Sequence, residues 1–352
     1  MESMTGISRE NGETFRKAVQ KAEEEVIRCF KSNLEGEKNF SPSMIEENAL
    51  NVFISHIRDR YSGPKLFVVS EDSDTFLEIG EETDEVLVGC IDPIDQTEKA
   101  VNGDFSHSSI GFWAGKAVKF KAKENELYSL VEPIYSVVCS LDREFLVESF
   151  KEGSGWEVRA KGSLYGEIGE NFDLESGDVS ERIADFRENL FQEKYKLASD
   201  YQTKSSRDFH DDSINDPLTD EGIRVDSNGG AIYQFMVATG QNHIGFESEP
   251  TMPTEASGGI IAEALGVERR DITGKPINRI SVIFKEQSTQ KTFHEVVWNN
   301  KIFEEINEES PLEIINMERQ TEQSKNKGKE IRELEKYFDQ QLKSLKKRQD
   351  IK

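Results

Sequence analysis

The chain has 352 residues, of which 35% are hydrophobic and 32% charged, and its formal net charge is −24. That length suits about two domains, and the acidic surface argues against sequence-independent binding to nucleic acid. Three cysteines without CxxC spacing indicate neither a disulfide framework nor a zinc site, which favours a reducing cytoplasm. The sequence shows no signal-peptide core and no stretch approaching the ~20 apolar residues of a membrane span.

Two helices are predicted at the start of the chain. Over residues 10–33, apolar residues recur every three or four positions, which is the spacing of one helix face. A second helix is predicted over residues 41–63, where Ile45, Ala49 and Phe53 follow at four-residue steps. Apolar runs at 65–72 and 85–95 then predict short buried strands, and each run ends in acidic residues.

The rest of the chain also alternates between helix and strand patterns. Residues 108–160 carry short apolar runs separated by turns, which indicates an antiparallel sheet. Further segments are predicted as a helix over 182–196, an acidic loop over 207–222, a helix over 228–241, a strand over 242–250, a helix over 256–266 and a strand over 279–284. Residues 317–352 are almost wholly polar with a thin apolar stripe, which favours a solvated amphipathic helix over a short coiled coil.

Two aspartates lie three residues apart in the segment GCIDPIDQTEKAVNG (89–103), directly after the second apolar run. Two ionised carboxylates repel each other unless a cation lies between them. Asp92, Asp95 and the Ile94 carbonyl would supply three hard oxygen ligands of the kind that Mg²⁺ prefers, and Glu71 or Asp72 could add a fourth. Taken alone, an Asp-Pro pair is also common in turns. The combination predicts a Mg²⁺ site.

The same segments resemble a known family. SEDS (70–73) followed by DPIDQT (92–97) is similar to the inositol monophosphatase family of Mg²⁺-dependent phosphatases, which carry a G-E-E-S strand end and then D-P-[IL]-D-G-[ST]. The resemblance continues in TEKAVNGDFSHSSIGFW (97–113) and returns at IRVDSNGGAIYQFMVATGQNHIGFE (223–247). It covers roughly residues 10–285, although 115–220 match only in outline.

The resemblance implies an α/β (α+β) fold with α-β-α-β-α layers, as in sugar phosphatases. It implies an N-terminal α+β domain over residues 1–185 that carries the metal site, and a smaller α/β domain over 186–300. A charged helical tail would follow over 301–352. The implied reaction is the hydrolysis of a small sugar or inositol phosphate by metal-activated water.

The resemblance also implies a set of site residues, with Mg²⁺ as the cofactor. Glu71, Thr97 and Asp95 would be catalytic, with Thr97 and Glu71 orienting and deprotonating the attacking water. The metal ligands would be Glu71, Asp92, the Ile94 carbonyl, Asp95 and Glu255. The substrate would be held by Gln96, Thr97, Asn228, Gly229, Gly230 and Glu247, with the backbone N–H groups of Gln96 and Thr97 on the phosphate.

Several positions bear on how closely the chain follows the family pattern, and among them Asp72 replaces a glutamate, with a shorter reach but the same charge. Gln96 replaces a glycine, which would strain the backbone if that position needs a positive φ. The usual W-D pair is missing, and Glu255 could be either a replacement ligand or an N-terminal helix charge. Glu46 lies where the family has an optional ligand, but Ser43 and Glu46 also form an S-x-x-E capping box, which we favour.

An alternative function follows from these departures. The chain could be a catalytically impaired family member, a pseudoenzyme that acts as a regulatory or assembly protein through its C-terminal helix. In the enzymatic interpretation the partner is a small phosphorylated substrate, with no nucleic acid and no membrane. The resemblance allows a homodimer, and the tail allows a helical partner.

Overall fold

The computed structural model describes residues 7–36, 38–71, 73–101, 105, 108–142, 145–153, 155–165, 171–173, 195–200, 223–226, 231–239, 244–247, 251–271, 274–285, 287–293 and 295–298. The two predicted N-terminal helices are confirmed as α1 (Arg9–Leu34) and α2 (Pro42–Arg60). Ser41 caps α2 by accepting a hydrogen bond from the Met44 N–H. The expected cap at Ser43 is therefore wrong, because Pro42 fits the first helical position and starts the helix earlier.

The remaining elements follow in chain order. The strands are β1 (Pro64–Ser70), β2 (Leu77–Ile79), β3 (Glu81–Asp95), β4 (Ser109–Lys123), β5 (Glu126–Ser140), β6 (Phe145–Glu152), β7 (Gly155–Tyr165), β8 (Asn171–Asp173), β9 (Tyr195–Asp200), β10 (Ile223–Asp226), β11 (Ile244–Glu247), β12 (Glu268–Arg270), β13 (Ile280–Lys285), β14 (Ser288–Thr289) and β15 (Val296–Trp298). The further helices are α3 (Thr97–Val101), α4 (Ala231–Thr239) and α5 (Ser257–Ala264), and a 3₁₀ turn (Pro253–Ala256) precedes α5. None of these described helices is long and apolar enough to cross a membrane.

The larger sheet has the strand order β2-β1-β3-β4-β5-β6-β7-β8. Strands β1 and β3 are parallel, whereas the other neighbours pair antiparallel, so the predicted antiparallel sheet over 108–160 is confirmed. One edge of β5 is covered by β4, and the other edge is divided between two strands. Strand β6 pairs with residues 135–139 of β5, and β13 pairs with residues 127–131. Strand β13 therefore completes a sheet formed mostly by the first half of the chain.

The smaller sheet has the order β10-β9-β11-β15-β12. Strand β9 is parallel to both of its neighbours. The helix predicted over 182–196 is wrong at its end, because Tyr195 and Lys196 form strand pairs with β10. The rest of that predicted helix, the loop at 207–222 and the tail at 301–352 lie outside the described residues.

Buried side chains on both faces of the larger sheet explain its apolar strands. In β1, Leu66 and Val68 pack in the cluster beneath α1 and α2, while Phe67 and Val69 pack in the cluster on the opposite face. Side chains alternate between the faces of a strand, so a continuous apolar run marks a sheet covered on both sides. Helices α4 and α5 contact both sheets. The described residues thus form successive α, β, α and β layers, and the α/β fold class is confirmed. The division near residue 185 falls outside the described residues and stays a prediction.

Candidate active site

A β-bulge brings Asp92 and Asp95 onto the same face of the larger sheet. Asp92 lies opposite Gly111 of β4, and Asp95 lies opposite Ser109, with an irregular register between the two pairs. Residues three apart in a regular strand point to opposite faces, but one extra residue in β3 restores the alternation. Both aspartates are buried, at 7% and 5% relative exposure. The sequence motif thus becomes a pair of inward-facing carboxylates.

Glu71 reaches the same place because β1 and β3 run in parallel. Ser70 at the end of β1 lies opposite Ile91 of β3, so the next residue, Glu71, falls beside Asp92. The hydroxyl of Thr289 donates a 2.9 Å hydrogen bond to the Ser70 carbonyl and fixes this strand end. The predicted proximity of Glu71 to the aspartate pair therefore follows from the sheet register.

Asp92 is in an unfavourable environment for a negative charge. Burial raises the pKa of Asp92 well above its usual range, and the charges of Asp95, Glu71 and Glu255 raise it further. A hydrogen bond from the Ile94 N–H to Oδ1 of Asp92, at 3.1 Å, opposes this rise only in part. A bound cation would remove the repulsion, because it favours the ionised form of every neighbouring carboxylate.

Asp95 is held by contacts from two other elements. Its Oδ2 accepts a 2.5 Å hydrogen bond from the Ala231 N–H, which is the first peptide of α4. The Ser109 hydroxyl donates to the same oxygen over 3.4 Å. The positive end of α4 therefore lies against the Asp95 carboxylate. The interactions of Asp95 with Ser109 and Ala231 had no signal of their own in the sequence.

Thr97 connects the aspartate segment to α2. Its Oγ1 lies 2.6 Å from Oε1 of Glu46 and 2.8 Å from the Ile94 carbonyl oxygen. A threonine hydroxyl has one proton and therefore donates to one of these acceptors at a time. The favoured capping role of Glu46 is wrong, since Ser41 forms the cap and the Glu46 carboxylate contacts Thr97 instead. Local sequence could not separate these roles, because S-x-x-E is also a genuine capping pattern.

Gln96 occupies a conformation that favours glycine. Its φ angle is +62°, which lies in the left-handed region. The condition under which a side chain here strains the backbone is therefore met, and the side chain costs about 1–2 kcal/mol. The Gln96 carbonyl oxygen accepts hydrogen bonds from the Ala100 N–H, at 3.2 Å, and from the Ser108 hydroxyl, at 3.2 Å. These contacts hold the turn in its strained form.

Glu255 fills the structural one of the two roles that its sequence position left open. Its Oε2 accepts a 2.9 Å hydrogen bond from the Met252 N–H and so caps the 3₁₀ turn, while its charge raises the pKa of Asp92. The turn is fixed to the larger sheet by a 2.6 Å bond from the Trp113 indole N–H to the Pro253 carbonyl. Whether Glu255 binds a metal stays a prediction.

Four residues in the second half of the chain are predicted to bind the substrate. Asn228, Gly229 and Gly230 lie outside the described residues. Glu247 is the last residue of β11 and pairs with Asp200 of β9. The roles of these four residues therefore stay predictions.

The donor set fits a hard divalent cation. Two buried hydroxyls, those of Ser70 and Thr254, find no partner among the described residues, and each directly precedes a carboxylate of the group, Glu71 or Glu255. Mg²⁺ keeps several of its waters when bound, and such waters need polar partners of this kind. Within the described ranges, no three His, Cys, Asp or Glu side chains form a group that is already arranged to hold a metal ion.

Comparison with solved structures gives the architecture a name. Extragenic suppressor protein SuhB from Bartonella henselae superposes with a TM-score of 0.53 at 13% identity, over 86% of this chain and 97% of that one. The Thermotoga maritima IMPase superposes with a TM-score of 0.51 at 17% identity, over 86% of this chain and 95% of that one. CysQ from Bacteroides thetaiotaomicron superposes with a TM-score of 0.51 at 16% identity, over 82% of this chain and 97% of that one. That protein is described as a bacterial member of the inositol monophosphatase family. The chain has the inositol monophosphatase fold. No family model and no curated protein sequence matches it.

The inositol monophosphatase fold accounts for the positions of the acidic groups. In this chain, Glu71 follows the carboxyl end of β1, and Asp92 and Asp95 flank the bulge of β3. Glu255 lies in the 3₁₀ turn before α5, and its charge acts on Asp92 together with those of Glu71 and Asp95. These residues come from three separated parts of the sequence. The fold thus assembles one acidic cluster from segments that a local motif search treats independently.

Proposed function

We propose that the protein is a Mg²⁺-dependent phosphomonoesterase that acts on a small sugar or inositol phosphate. The observation that carries the proposal is the bulge that turns both Asp92 and Asp95 toward one buried face. Two carboxylates held so close, and with the pKa of Asp92 raised, are unfavourable without a cation. An acidic protein that binds a phosphate ester also needs a local positive charge.

Glu71, Asp92, Asp95 and the Ile94 carbonyl would hold the Mg²⁺, with Glu255 as a further ligand. When bound, Mg²⁺ supplies neutralisation of the phosphate charge and a lowered pKa of a coordinated water. The Ala231 N–H and the Ser109 hydroxyl fix the rotation of the Asp95 carboxylate. Contacts of this kind to a ligand set commonly control metal affinity.

The chain's own proton transfer would run through Thr97 and Glu46. When Thr97 donates its proton to Glu46, its oxygen lone pair can accept a hydrogen bond from the attacking water. The water proton can then pass to Thr97 as Thr97 gives its own proton to Glu46, so that Glu46 is the final acceptor. Glu71 would orient the same water. The backbone N–H groups of Gln96 and Thr97 would hold the phosphate.

Phosphate release from a panel of sugar and inositol phosphates, with and without Mg²⁺, tests the proposal. Asp95→Asn should abolish release that the wild-type protein shows, because it removes a ligand charge without changing shape. Asp84→Asn is the matched control, since Asp84 lies on the same strand and is exposed. Activity that survives Asp95→Asn would refute the metal assignment. No release from any ester, with correct folding, would favour the pseudoenzyme alternative.

A further inference from the structure

Two adjacent glycines at the start of α5 each make room for a neighbouring group. A Cβ atom on Gly258 would lie 2.6 Å from the Cα and from the carbonyl carbon of Ala231, the first residue of α4. A Cβ atom on Gly259 would lie 2.7 Å from Cδ of Glu295. Contacts below 3.0 Å essentially never occur for real Cβ atoms. Alanine at either position would therefore displace a neighbour.

Glu295 also holds α4 directly. Its Oε2 accepts a 2.6 Å hydrogen bond from Nε2 of Gln234, and its Oε1 accepts a hydrogen bond from Nε of Arg269. The side chains of Glu295 and Arg269 are each only 1% exposed. A buried carboxylate that loses a partner is strongly destabilising, so these bonds hold Gln234 firmly. Gln234 lies three residues, or about one turn, after Ala231.

The first peptide of α4 is the group that these contacts restrain. Its N–H donates to Oδ2 of Asp95 at 2.5 Å, and a shift of about 1 Å would take the pair beyond hydrogen-bond distance. We infer that Gly258, Gly259 and Glu295 are positioning residues that hold the Ala231 N–H against Asp95. They thereby fix the carboxylate in one rotation. The inference rests on the proposed function in one respect, namely that Asp95 binds Mg²⁺.

The test compares two glycine-to-alanine substitutions at opposite ends of α5. Gly258→Ala displaces Ala231, whereas Gly266→Ala has open space around its new methyl group and acts only through its φ of +85°. Both should lower Tm by a few degrees. Only Gly258→Ala should raise the Kd for Mg²⁺, measured by calorimetry, by about tenfold or more. Only Gly258→Ala should also speed hydrogen exchange of the Ala231 amide.

Gln234→Met provides a second variant, because it removes the bond to Glu295 but keeps the side-chain length and the Arg269 pair. It should weaken Mg²⁺ binding and speed the same amide exchange, and it carries the test if Gly258→Ala does not fold. Unchanged Kd and unchanged exchange in these variants would overturn the inference. If the wild-type protein does not bind Mg²⁺, the proposed function fails, and exchange of the Ala231 amide alone then decides the positioning role.

Discussion

Thr97 and Glu46 are 51 residues apart in the sequence, yet their side-chain oxygens lie 2.6 Å apart. One residue opens the short helix α3, and the other lies on the first turns of α2. Their contact therefore connects the helical layer to the end of β3. It also gives the hydroxyl a carboxylate acceptor within direct reach, which is the arrangement needed to polarise a bound water.

Thr97→Ala should lower kcat by a factor of about 10² to 10⁴, because the hydroxyl is proposed to relay a proton in the transition state. Thr97→Ser keeps the hydroxyl and is the control, with kcat expected within about tenfold of wild type. Glu46→Gln should lower kcat in the same direction, measured by phosphate release at saturating Mg²⁺. A kcat that Glu46→Gln leaves unchanged would assign the contact to structure alone.

Gln96→Gly should raise the free energy of unfolding by about 1 kcal/mol, because glycine adopts a positive φ without the cost that glutamine bears. Gln287→Gly is the matched control, since Gln287 has a φ of +64° in the turn between β13 and β14. Both variants should be more stable in urea unfolding. Only Gln96→Gly should lower KM, because the backbone N–H of residue 96 lies where the phosphate is proposed to bind. If Gln96→Gly and Gln287→Gly have the same KM, that placement is contradicted.

Asp92 gives the metal-free protein a specific pH dependence. Its pKa is raised in the folded state, so the folded state holds this proton more tightly than the unfolded state does, and the contribution of Asp92 to stability falls as pH rises above about 4. Asp92→Asn removes this loss of stability, because asparagine does not ionise. The free energy of unfolding of Asp92→Asn, measured by calorimetry in EDTA, should gain on the wild-type value from pH 4 toward pH 7, by at most about 1.4 kcal/mol per pH unit. A constant difference would contradict the raised pKa.

Mg²⁺ should reverse the loss of stability that Asp92 causes as pH rises. Because the bound ion requires ionised carboxylates, added Mg²⁺ should raise the wild-type Tm more at pH 7.5 than at pH 5. Asp92→Asn should lose most of that gain. The Asp84→Asn variant serves as the control and should respond to Mg²⁺ as the wild type does.

Glu255→Gln separates the capping role of this side chain from its proposed role as a metal ligand. The amide oxygen can still accept the hydrogen bond from the Met252 N–H, but the charge is lost. We expect the Kd for Mg²⁺ to rise about tenfold while Tm changes little. Glu255→Ala should additionally cost about 1 kcal/mol of stability, because the turn loses its cap. If Glu255→Gln binds Mg²⁺ like the wild type, the residue is only a helix-terminal charge.

The sequence predicted those features that depend on burial along a single segment. The apolar runs of β1 and β3 could be recognised because both faces of the sheet are covered, and the aspartate pair could be recognised by its spacing. The bulge between Asp92 and Asp95 could not, because it depends on the register against Ser109 and Gly111 of another strand. The same limit applies to Glu46, whose partner Thr97 belongs to a distant segment.

The start of α2 shows a different reason for error. Ser41 and Ser43 are both acceptable caps, and Pro42 between them decides in favour of Ser41 because a proline is best placed at the first helical position. The end of the helix predicted over 182–196 failed because Tyr195 and Lys196 pair with β10. Tertiary pairing there overrides the local preference.

The division of the outer edge of β5 between β6 and β13 has a consequence for how the protein is made. On the ribosome, residues 127–131 emerge about 150 residues before the strand that will cover them, as counted from the pairing of Val131 with Ile280. During that interval the nascent chain exposes an unpaired strand edge, which can pair with another chain and lead to aggregation. Synthesis must therefore run almost to the end of the described chain before the first-made half can close its own sheet.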